Sequence, residues 1–151
     1  MKFVIPAPLK IEHEELHADL VKATKVGGKT GEVAKAVAQV LHDHFVKEEQ
    51  YAMPPLGLLR ALSEGRIAPE MAEATKMTDR LEADLDAMLA DHQIIVGELK
   101  RLAEAAKAEN RPEIVKFAEK LELHARTEEE VIYPASILVG RYLKLKLAER
   151  G

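Results

Sequence analysis

The chain has 151 residues, 47% of them hydrophobic but only 4% aromatic, with no Cys or Trp and a net charge of −4. That length predicts one domain, residues 1–151, and the missing thiols exclude disulfides, thiolate metal sites and a cysteine nucleophile. Acidic and basic residues are interspersed, so no basic stripe points to nucleic acid and no polybasic segment to an anionic membrane.

Abundant Ala, Leu, Glu and Lys favour helix, and no stretch reads as strand. Pro6 and Pro8 open a first helix, expected to run to about residue 25 and to stop at Val26-Gly27-Gly28. A second is expected from after Thr30 to about Met53, where Pro54-Pro55 ends it. A short apolar piece at 56–62 follows, then the turn-like SEGRIAP. Pro69 suits the first turn of a third, very long helix reaching about residue 108. Asn110-Arg111-Pro112 starts a fourth, expected to kink at Pro134 into a final helix ending near Arg150. No apolar run approaches membrane-spanning length, and the Met-Lys-Phe-Val start lacks a signal-peptide apolar region. A cytoplasmic protein is expected.

Periodicity tells how these helices pack. Leu81, Leu85, Met88, Ile95, Leu99 and Leu102 step by fours and threes along the third helix, with His92 filling the one gap. In the fourth the stripe is Ile114, Phe117, Leu121, Val131 and Ala135, running through His124 and Glu128. In the second it is Val33, Val37, Leu41 and Tyr51, through His44 and Glu48. In the first it is Leu9, Leu16 and Leu20, through His13. The expected fold is therefore all-α: an antiparallel up-and-down four-helix bundle, with a short extra helix between the second and third and a C-terminal helical extension. Its unusual property is a polar residue in the seam of every helix.

Two stretches, LHDHFVKEEQYAMPPL and LHARTEEEVIYPASIL, share a skeleton of His, Glu-Glu and Pro: His44, Glu48, Glu49, Pro54 and His124, Glu128, Glu129, Pro134. Glu12-His13 likewise matches Asp91-His92, so the chain reads as a duplicated helical hairpin. Residues four apart share a helix face, which pairs His44 with Glu48, His124 with Glu128 and His13 with His17. From the turns outward the helix arms to His13 and His44 measure about 18 and 20 Å, and those to His92 and His124 about 21 and 18 Å. All four histidines thus come level. Carboxylates buried among neutral imidazoles need a compensating charge, and such a donor set suits Fe, Zn or Mn, with a pair of ions a natural occupant.

On His13, HFVKEE (44–49), DHQ (91–93) and HARTEEE (124–130), the chain resembles the hemerythrin-like (HHE cation-binding) family. The resemblance implies a bundle holding two non-haem iron ions, with histidines as terminal ligands and two bridging carboxylates. It assigns His13, His17, His44, Glu48, His92, His124 and Glu128 as metal ligands, with Glu129 competing with Glu128. Family members bind dioxygen, sense oxygen or iron, store iron, or react with peroxide or nitric oxide. Ferritin-like bundles use Glu-x-x-His instead, a different order and spacing. Here the histidine pair sits on the first helix, Val96 occupies the position four after His92, and residues 56–85 lengthen the connection before the third helix.

The plainer readings stand beside these. Solvated ion pairs four apart do not fit an apolar stripe. His17 is a ligand, a partner of one, or a polar residue at the bundle end. His42 points away from His44 and reads as surface; Tyr51 reads as core; Glu49, Glu129 and Glu130 read as solvated or as orienters of the imidazoles. Three functions follow in rank order. The first is a di-iron protein that binds dioxygen, another small diatomic or iron itself, as carrier, sensor or store. The second is an enzyme acting on peroxide, dioxygen or nitric oxide, and the third a metal-free interaction module using residues 56–85.

Overall fold

A computed structural model describes residues 2–150, and among them there is helix but no strand. Helix α1 spans Ala7–Thr24 and α2 spans Gly28–Lys47; α3 is a single short turn at Leu59–Ser63. Helix α4 covers Ala74–Ala108, α5 covers Pro112–Thr127 and α6 covers Tyr133–Arg150. Short 3₁₀ turns at Pro54–Leu58 and Pro69–Glu73 flank α3. Helix α1 packs on α2, α2 on α4, α4 on α5, and α5 back on α1, closing the expected four-helix bundle. With 35 residues, α4 is roughly 52 Å long and extends beyond its partners, and α6 packs against that extension.

Two features depart from the sequence-based expectation. The second and fourth helices each open into a π turn, at Glu48–Ala52 and Glu128–Ile132. Met53 N–H donates to the Glu48 carbonyl, and Tyr133 N–H to that of Glu128, each reaching back five residues rather than four. Pro54 and Pro134 follow directly. Within an unbroken α-helix a proline lacks the needed donor and clashes with the carbonyl four residues back, here Gln50 and Glu130. The wider turn just upstream absorbs that conflict, so the fourth helix is disturbed before Pro134 rather than at it. The extra residue also shifts the register. Val131, expected in the core, is exposed, while Ile132, Tyr133 and Ser136 are buried.

The two hairpin ends are tied together. Glu109, where α4 ends, accepts hydrogen bonds from the backbone of Lys29 at 3.1 Å and of Thr30 at 2.7 Å, satisfying free donors in the first turn of α2. A side chain at Gly28 would collide with that carboxylate, since its Cβ would lie 2.2 Å from Glu109 Oε2, and Gly28 also has a φ of +71°. This cap starts α2 at Gly28, slightly earlier than its sequence suggests.

Buried apolar residues form layers along the bundle. One holds Leu16, Leu20, Val37, Leu41, Leu99 and Leu121; another, at the π turns and past them, holds Tyr51, Met53, Leu81, Met88 and Ile132. Each such buried Leu or Met contributes about 1.5–3 kcal/mol relative to exposure. Along α2 and α4, His44 and His92 fall between the two layers, so both layers seal the polar residues from water.

Candidate metal centre

Six side chains meet between the apolar layers: His13 from α1, His44 and Glu48 from the second bundle helix, His92 from α4, and His124 and Glu128 from the fourth. All are at most 4% exposed. Their donor atoms form two groups that share Glu128: His44, Glu48, His92 and Glu128, and His13, His124 and Glu128. Glu128 links the groups directly, with Oε1 3.1 Å from His92 Nε2 and Oε2 3.2 Å from His124 Nε2 and 3.6 Å from His13 Nε2. Glu48 Oε1 lies 3.5 Å from His44 Nε2 and 3.7 Å from His13 Nε2. Both carboxylates begin π turns, so the widening of each helix occurs where its carboxylate enters the chamber.

Each imidazole turns Nε2 inward and Nδ1 toward a carboxylate on the next helix. His44 Nδ1 lies 3.1 Å from Asp91, His92 Nδ1 3.0 Å from Glu129, and His13 Nδ1 3.5 Å from Glu49, while His124 Nδ1 hydrogen-bonds Glu12. The pairings run helix by helix around the bundle and return to the first. They also obey the internal repeat: Glu12 and Asp91 each precede a chamber histidine, and Glu49 and Glu129 each follow a chamber carboxylate. An ionised carboxylate only accepts hydrogen bonds, so Nδ1 carries the proton in His44, His92 and His124, and their Nε2 lone pairs face the chamber. Among these carboxylates, Glu49 and Glu129 stand where the sequence offers orienters of the imidazoles, whereas Glu12 and Asp91 are visible there only as a repeated acidic residue.

Burial dominates the electrostatics. It lowers the pKa of all four chamber histidines, to about 4 for His13 and for His44, where His124 and His92 respectively add to the effect. The imidazoles are therefore neutral donors near pH 7. Burial also pushes the Glu48 carboxyl well above the usual carboxylate range, against the opposing hydrogen bond from Tyr133. Tyr133 is the chamber side chain that sequence periodicity misses. Its hydroxyl donates to Glu48 Oε2 at 2.9 Å and lies 3.1 Å from both His44 Nε2 and His92 Nε2. Burial, then the Glu48 charge, holds its phenol strongly in the protonated form.

The other candidates lie elsewhere. His17 is exposed and lines a groove of about 620 Å³ between α1 and α2, together with the exposed His42; it joins neither group of donors. Phe45 also lines this groove, and its ring stacks on His13 with centroids 4.2 Å apart. Tyr51 is buried, but its hydroxyl donates to Asp84 at 2.9 Å rather than into the chamber. Glu130 stays at the surface beside Arg126.

A cation fits these residues on chemical grounds. His13 Nε2, His124 Nε2, Glu48 Oε1 and Glu128 Oε2 are buried polar atoms without a hydrogen-bond partner, and all four face the chamber. Such atoms cost about 1–3 kcal/mol each when unpaired, and converging nitrogen and oxygen lone pairs are what a divalent or trivalent ion satisfies. Fold and site together define a cation-binding helical bundle.

The comparison with known families narrows that class. The family model described as "Hemerythrin HHE cation binding domain" matches residues 5–136, so the chain belongs to the hemerythrin HHE cation-binding family. Among curated proteins and among solved structures, none matches this chain.

Proposed function

We propose that this chain, acting as one domain, is a non-haem di-iron protein that binds a small diatomic ligand such as dioxygen, as carrier or sensor, or takes up iron itself. One ion would be held by His44, Glu48, His92 and Glu128, the other by His13, His124 and Glu128. The observation that carries this reading is the set of four partnerless donor atoms, from three of the four bundle helices, facing one dry chamber. Bound iron supplies Lewis acidity and an exchangeable electron. The chain's own residues do the rest. The neutral imidazoles offer lone pairs, the carboxylates at their Nδ1 atoms fix the ring planes, and the apolar layers exclude bulk water.

Capture is ranked above turnover because a small diatomic ligand needs no more than a dry pocket, which the apolar layers on either side of the donor set supply. Among the described residues no helix is long and apolar enough to cross a membrane, and no basic stripe in the sequence points to nucleic acid. The test is elemental analysis of purified protein with absorption spectra in reduced and aerated states. Two irons per chain and a spectrum that cycles reversibly with oxygen are expected. Substoichiometric metal, together with a melting temperature indifferent to chelators, overturns the reading. Steady consumption of peroxide or nitric oxide would replace binding by catalysis.

A further inference from the structure

The hydroxyl of Tyr133 completes a triangle with His44 Nε2 and His92 Nε2. Its edges are 3.1 Å, 3.1 Å and 2.9 Å. One phenol proton cannot account for all three edges. The Nδ1 protons of both imidazoles point at Asp91 and Glu129, and the phenol proton points at Glu48 Oε2. Three donor atoms therefore converge with at most one hydrogen among them. Donor atoms about 2.1 Å from one ion and at right angles to each other lie about 3 Å apart, the edge of a coordination octahedron. The triangle has the size of one octahedral face.

We infer that Tyr133 is itself a metal ligand, supplying a phenolate oxygen to the ion shared with His44 and His92. This rests on the di-iron reading above. Local structure explains how the side chain reaches the site. In an α-helix Tyr133 would be rotated about 140° from Glu128 and would miss the chamber. The π turn between them lets the backbone of Tyr133 bond directly to that of Glu128, and the hydroxyl reaches Glu48, His44 and His92. On ligation the O–H bond is exchanged for an O–metal bond, and one proton is released to solvent.

The repeat makes the two metal positions unequal. The residue five after Glu48, equivalent to Tyr133, is Met53. A phenol oxygen is thus available in one half of the duplicated hairpin and absent from the other. A hard anionic donor beside His44 and His92 favours the ferric state of that ion over its neighbour.

The experiment is absorption and resonance Raman spectroscopy of ferric-loaded protein. A phenolate-to-iron band in the visible, with enhanced tyrosine ring modes, is expected. The chain has three tyrosines. Tyr51→Phe and Tyr142→Phe retain the band, and Tyr133→Phe loses it while keeping two irons per chain. Should Tyr133→Phe fail to load, retention of the band in the other two variants still assigns it to Tyr133 by elimination. Iron uptake without tyrosine modes, or a band that survives Tyr133→Phe, overturns this inference alone. A wild-type chain that takes up no iron overturns the di-iron reading itself, and this one with it.

Discussion

Glu12, on the first bundle helix, hydrogen-bonds Nδ1 of His124, on the last, across 112 residues of chain. That contact closes the ring of carboxylates behind the imidazoles. Its role is to hold the tautomer and ring plane, and such partners typically change metal affinity by about 10–100-fold. Glu12→Gln and Asp91→Asn are therefore expected to weaken metal binding by about that factor while leaving the folded apo-protein intact. Glu130→Gln should have no effect. Competition titration against a metal indicator measures all three.

The histidines divide sharply by position. His44→Ala and His124→Ala each remove a donor from a chamber sealed to water and should lose bound metal. His42→Ala and His17→Ala alter exposed side chains and should retain it. Elemental analysis after desalting separates the two pairs, and equal retention in all four would count against the assignment.

Metal-free protein should be acid-sensitive in a defined window. His13 and His44 have folded-state pKa values of about 4 against 6.5 unfolded, so between those values the unfolded chain binds more protons. Their contribution is fully present above pH 6.5 and is lost as pH falls toward 4, roughly 3 kcal/mol for each, with His92 and His124 acting in the same direction. Glu48 acts oppositely. Its raised folded-state pKa makes stability fall as pH rises above the usual carboxylate range. Four histidines outweigh one carboxyl, so urea midpoints should drop between pH 6.5 and 4, and Glu48→Gln should steepen that drop.

Gly140 on α6 lies directly against Thr78 on α4. A Cβ there would lie 2.0 Å from Thr78 Oγ1 and 2.6 Å from Thr78 Cβ. Alanine gains up to about 1 kcal/mol of helix propensity over glycine, but overpacking of this kind costs about 1–3 kcal/mol. Gly140→Ala should lower the melting temperature. Adding Thr78→Ala should recover only part of the loss, because the Thr78 Cβ contact remains.

Much of this arrangement is legible from local spacing. Helical rise and the breakers at Gly27-Gly28 and Asn110-Arg111-Pro112 bring His13, His44, His92 and His124 level, and the structure gathers them with Glu48 and Glu128. Val131 shows where such counting stops. It assumes an unbroken 3.6-residue turn, and one extra residue in the π turn moves Val131 out and Tyr133 in. His17 shows a second limit: it shares a face with His13 at a spacing of four, yet it lies against the α1–α2 groove rather than over the chamber.

What the amino-acid order determined by itself was one-dimensional: where helices start and stop, which stripe is apolar, and which polar residues interrupt it. Those follow from backbone periodicity and the conformational limits of proline and glycine, which act within a few residues. Only the tertiary structure decided which carboxylate stands behind each imidazole, which nitrogen is left bare, and which tyrosine enters the chamber. Those depend on the rotation and stagger of four neighbouring helices and on two local widenings, to which residues far apart in the chain contribute together.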